Sequence, residues 1–172
     1  MNLNFEKFQK TNLGLKKLND LRSLSFKKFE TLGFPTRRQE NWKYTDLKNI
    51  ISNNFSDLQI IENQKESKFN SKFLIKNFEH NRIVLLNGHF MEKNFSFEDQ
   101  KKINIKSLNT ALKSEKDFDE IKNYFDDDDN SMISLNHAFV NDGIIIDVDD
   151  KYLFNKPLII YNLFDKVVEN KI

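Results

Sequence analysis

The side chains able to do chemistry in this sequence are few in kind. Cysteine is absent, which removes thiolate nucleophiles, disulfides and any zinc or iron–sulfur site built on sulfur from this chain. The three histidines, His80, His89 and His137, stand at no metal-ligand spacing from one another and read as turn or surface residues. The four glycines, Gly14, Gly33, Gly88 and Gly143, lie too far apart for a Gly-x-Gly or Walker-type loop, so neither common mode of phosphate cradling is available. No serine sits in a nucleophile elbow. The acidic run at 126–129 opens like a calcium loop, with Asp126, Asp128 and Asn130 at the first, third and fifth positions. Ser131 then stands where glycine is required and His137 where a bidentate glutamate is required, so the run reads as a solvated loop. With no catalytic constellation and no way to hold a cofactor, the chain is expected not to be an enzyme.

What remains is a basic–aromatic cluster, Arg37, Arg38, Trp42, Lys43 and Tyr44. Side chains of this kind make a hot spot for a protein partner, or a stacking platform for single-stranded nucleic acid. They can equally do something plainer, with Trp42 and Tyr44 seating one helix on another and the cations solvated. The 27 basic and 26 acidic residues leave a net charge of +1, whereas nucleic-acid binders carry a marked basic excess. Nucleic acid is therefore not expected as a partner.

The elements that must position this cluster are written around it. Gly33 suits the position just past a helix C-terminus. Pro35 lacks the N–H needed to resume a helix and biases Phe34 toward an extended conformation. Thr36-Arg37-Arg38-Gln39 fits the capping box, which predicts a second helix from Thr36 with Glu40 beside Tyr44 and Arg38 beside Trp42. Upstream, residues 12–32 predict an amphipathic helix. Leu15, Leu18, Leu21, Phe26, Phe29 and Leu32 fall within an arc of roughly 140°, and Lys16, Lys17, Arg22, Lys27 and Lys28 lie mostly outside it. Residues 1–11 carry no cap and are predicted to fray.

Downstream, 46–55 predicts a short helix and 56–72 a polar loop with room for one short strand. Phe73-Leu74-Ile75 is a candidate strand. Residues 82–86 form a stronger one, closed by Asn87-Gly88 and returning through 89–91 as a hairpin. Ile103 and Ile105 mark a further extended piece. Helices follow at 108–113, capped by Ser107, at 117–125, and from a Ser131 cap to about Phe139. Residues 143–148 and 157–164 are β-prone runs about fourteen residues apart, expected to be consecutive strands of one all-β unit. The seventeen phenylalanines read as coding bias. No apolar stretch approaches the roughly 20 residues that span a bilayer. No signal-peptide run opens the chain, so a soluble, cytoplasmic protein without a membrane partner is expected.

Gly-Phe-Pro-Thr-Arg-Arg-x-Glu-x-Trp-Lys-Tyr-Thr, at 33–45, resembles the N-terminal signature of the SufD branch of the SufB/SufD family. Residues 82–90, 103–112 and 135–143, with Lys156-Pro157-Leu158, resemble further family segments in register. The resemblance implies an α+β chain. A mainly helical N-terminal domain with a short hairpin would occupy 1–130, and 131–172 would begin a right-handed parallel β-helix core. It implies a non-catalytic subunit of a SufBCD-type scaffold for iron–sulfur cluster assembly, partnered by SufB-like and SufC-like subunits. Cluster and ATP would be handled by the parent complex, with no cofactor bound here. The family's β-helix body and C-terminal helices have no counterpart in these residues, so a fragment of something longer is expected. Pro35, Thr36, Arg37, Arg38, Glu40, Trp42, Lys43, Tyr44 and Thr45 carry the motif, as structural or partner-contact residues. The alternative is a stand-alone interaction module using the Arg37, Arg38, Trp42 and Tyr44 surface.

Overall fold

The computed structural model describes residues 3–12, 14–54, 69–125 and 129–164. In chain order its elements are α1 (Phe5–Thr11), α2 (Lys16–Leu32), α3 (Leu47–Asn54), β1 (Asn81–Leu86), β2 (His89–Asn94), β3 (Ile103–Ser107), α4 (Leu108–Ala111), α5 (Glu115–Ile121), α6 (Ser131–Ala138), β4 (Ile144–Val148) and β5 (Leu158–Leu163). This is an α+β chain, and its contacts divide it into two bodies. Of the described residues, one draws on 3–12, 14–54, 112–125 and 129–141, the other on 69–111 and 142–164.

In the helical body α2 packs on α6, and phenylalanines fill the space around them. Phe5 stacks on Phe26 at 4.0 Å, while Phe8 and Phe26 both meet Phe139, at 5.0 and 6.2 Å between ring centroids. Residues expected to fray therefore form α1, because burying Phe8 stabilises a helix that has no cap of its own. Gly33 ends α2 as expected, at φ +66°, with its N–H donating to Phe29 O. The N-cap of α6 is Asn130, one residue earlier than expected, its side chain accepting from Met132 N–H. Ser114 caps α5 in the same way, accepting from Asp117 N–H.

The capping-box helix at Thr36 does not form. Thr36 O accepts from Gln39 N–H in a turn, Gln39 is extended, and a short 3₁₀ segment follows at Glu40–Trp42. The next α-helix waits until Leu47, where Asp46 Oδ1 accepts from Asn49 N–H at 3.1 Å.

The second body holds two small sheets. β1 and β2 form the expected hairpin, with Asn87 and Gly88 both at positive φ, 50° and 82°, the type I′ pattern that matches strand twist. β5 pairs with β1 in parallel, Asn81 opposite Leu158 through Leu86 opposite Leu163, giving the order β2-β1-β5. β3 and β4 form a separate antiparallel pair, Ile103 opposite Val148. The two β-prone runs are thus not neighbouring strands, because each finds its partner far away in sequence. Ile83, Phe95 and Ile103 form the core between the sheets, with Leu85, Ile105, Ile144, Ile146 and Leu158 around them. Residues 73–75 make no strand, since Ser71–Phe73 is a 3₁₀ turn capped by Asn70. Most of the 56–72 loop and most of the 126–129 acidic run lie outside the described residues.

Candidate partner-contact surface

The motif residues all lie in one loop of the helical body. Its base is closed where Lys48 N–H donates to Pro35 O at 3.3 Å, with the Pro35 ring fully buried. Inside the loop Trp42 N–H donates to Gln39 O at 2.9 Å and Thr45 N–H to Trp42 O at 2.8 Å. Proline and this ladder hold the backbone in one course, and Thr36 and Trp42 are half-buried beneath it. Arg37, Arg38, Glu40, Lys43, Tyr44 and Thr45 point to solvent. Tyr44 is 87% exposed, so it does not seat a helix. Lys43 Nζ bonds Glu40 at 2.7 Å and lies 5.2 Å from the centre of the Tyr44 ring. The loop's other acid, Asp46, is occupied by Asn49 through both carboxylate oxygens. Arg37 and Arg38 keep no side-chain partner among the described residues.

Sequence reading missed the polar centres that hold each body together. Arg22, placed among the solvated cations, is 2% exposed. Its Nε and Nη2 donate to Val140 O at 3.1 and 2.7 Å, its Nη1 to Asn12 O at 2.6 Å, and its guanidinium lies 5.0 Å from the Phe8 ring centre. Burial pushes its pKa down to about 10, still charged at neutral pH. The signal was present, since at 100° per residue Arg22 falls between Leu18 and Phe26 on the apolar face.

Glu98 has no such signal. It is 7% exposed. Its Oε1 accepts from Asn81 Nδ2 at 2.6 Å and Lys156 N–H at 3.1 Å, and its Oε2 from Tyr152 O–H at 2.8 Å and Asn155 N–H at 3.0 Å. Burial works against the charge as the largest single influence, but the donors of Asn155, Asn81, Tyr152 and Lys156 together outweigh it and hold the carboxyl at about 2. With both oxygens engaged by protein donors, Glu98 fastens the approach to β5.

Two of the histidines likewise serve the fold. Tyr161 O–H accepts from Ile75 N–H at 3.1 Å and meets His80 Nε2 at 2.9 Å, while His80 Nδ1 donates to Phe78 O at 2.6 Å. His89 Nδ1 meets Asp142 Oδ2 at 2.9 Å, both side chains nearly buried. Among the described residues no group of three His, Cys, Asp or Glu side chains could hold a metal ion, and no helix is long and apolar enough to cross a membrane.

The described residues form helices in one body and a mixed sheet in the other, and the loop of the helical body exposes Arg37, Arg38 and Tyr44. The family described as SufBD protein N-terminal region matches residues 5–160, and the chain belongs to it. Membership ties the chain to iron–sulfur cluster assembly by the SUF system and to a complex with other Suf subunits. A comparison with curated proteins finds no match.

Proposed function

We propose that this chain is the N-terminal, non-catalytic part of a SufD-like subunit of the scaffold that assembles iron–sulfur clusters, working in the cytoplasm with SufB-like and SufC-like partners. The family match over 5–160 carries this reading, and the run at 33–45 favours SufD over SufB. Residues 143–164 then lead toward a right-handed parallel β-helix. The parallel pairing of β5 with β1, and the outer edge of β5 left open among the described residues, support that course, because an open edge offers the donors and acceptors that a further coil would take. The cluster is cargo of the complex and ATP belongs to the SufC-like partner. This chain, without cysteine, binds neither, and it engages no nucleic acid or membrane.

Co-expression with SufB-like and SufC-like subunits is expected to give a complex containing the chain. Anaerobic reconstitution with iron and sulfide is expected to leave the purified chain without a cluster absorption band. A stably bound cluster, or no complex, overturns the proposal. The full display of Tyr44 favours the second reading, a stand-alone interaction module built on the 35–48 loop.

A further inference from the structure

The 35–48 loop fixes the course of its backbone while its arginines and tyrosine stay exposed. A loop serving only to connect α2 with α3 needs neither a buried proline at its base nor the succession of bonds from Lys48 to Pro35, Trp42 to Gln39 and Thr45 to Trp42. The result is a fixed platform, and ordering it in advance lowers the entropic cost of binding. Its charges are also sorted. Glu40 pairs with Lys43, and Asp46, though bonded by Asn49, keeps its charge; with Arg37, Arg38, Lys43 and Lys48 against these two acids, the loop carries a net charge of +2. A guanidinium fork matches a carboxylate in two parallel hydrogen bonds. Tyr44, with an apolar ring and a hydroxyl at its tip, offers contact area at little conformational cost.

We propose that this loop is a docking surface for an acidic protein segment, one that presents carboxylates to Arg37 and Arg38 and an apolar side chain to the ring of Tyr44. Nucleic acid fits less well. Phosphate recognition draws on many cations spread along a groove, whereas here two arginines without a side-chain partner among the described residues stand on a chain whose net charge is +1. The proposal deepens the interaction-module reading and does not depend on the partner being a Suf subunit, so it can fail while the scaffold assignment stands, and the reverse.

The test is a fluorescence-anisotropy titration of the whole chain with a fluorescein-labelled peptide of alternating glutamate and leucine. A glutamine-for-glutamate version and oligo(dT) serve as competing probes. Saturable binding of the acidic peptide is expected, with the glutamine version at least tenfold weaker. The double variant R37E/R38E should weaken binding by roughly tenfold or more and Y44A by roughly fivefold, the range seen for hot-spot truncations. Lys116→Glu, on α5 of the same body, should change it little. Because the altered side chains face solvent, circular dichroism melts of the variants should superimpose on the parent. Absence of saturable peptide binding, equal binding by R37E/R38E, or tighter binding of oligo(dT) lost in that same variant overturns the proposal.

Discussion

The two bodies bury opposite charges, and among the described residues each does so without an ion-pair partner. In the helical body a cation, Arg22, is surrounded by carbonyl oxygens of Asn12 and Val140. In the β body an anion, Glu98, is surrounded by N–H and O–H donors from Asn81, Tyr152, Asn155 and Lys156. The sign follows from what each place leaves unpaired. Val140 lies just beyond the end of α6, where a carbonyl outside the helix calls for a donor. Asn155 and Lys156 lie just before β5, where amide N–H groups outside the ladder call for an acceptor. In both bodies one charged side chain completes the backbone hydrogen bonding of irregular chain that no helix or strand could complete.

The comparison can be broken most sharply at Glu98. Truncation to alanine strands four donors at once, and the β body is expected to lose on the order of 10 °C in its melting midpoint, with hydrogen-exchange protection falling first around 81 and 152–156. An unchanged midpoint would remove Glu98 from its central place. Arg22→Ala should come next, costing the helical body about 3 kcal/mol by chemical denaturation, while R22K, which keeps the charge but loses the fork, should fall between the variant and the parent.

Acid should separate the two bodies. The folded-state value for Glu98 is about 2 against an ordinary 4.5. Its stabilisation is therefore complete above about pH 4.5 and is lost as pH falls toward 2, and E98Q should flatten that dependence in a pH series of melts. Arg22 is depressed from 12.5 to about 10, so it stays charged in folded and unfolded chains throughout that acid window and adds no pH dependence there. Smaller still, Gly33→Ala should cost about 1 kcal/mol, because φ +66° with ψ −173° is strained for any residue with a Cβ. Y44A should shift stability by less than about 0.5 kcal/mol, which places that side chain outside the folding of the helical body.

Legibility followed the distance over which each feature is decided. The hairpin at 82–91, the end of α2 at Gly33 and a short helix within 46–55 could be read, because turn and glycine act on their own neighbours. α1 could not, since its stability comes from Phe26 and Phe139 and not from its own ends. The capping box at Thr36 was a correct local pattern that lost to its surroundings. The chain there is drawn to Pro35 O by Lys48 N–H, and Gln39 takes an extended conformation that no helix allows. Within the candidate surface the sequence named the residues, but which of them face water, and which acids were already taken, needed coordinates.

From the sequence alone came the residue types, the strand and helix segments governed by nearby caps and turns, the lack of sulfur chemistry and the family motif at 33–45. Those are properties of short stretches, set by φ/ψ preference and by hydrogen bonds spanning a few residues. Tertiary structure alone decided that β5 lies along β1 instead of beside β4, that Glu98 is buried, and that Tyr44 is not. Each of those outcomes depends on which distant backbone groups remain unpaired once the helices and ladders have formed, and no local pattern carries that count.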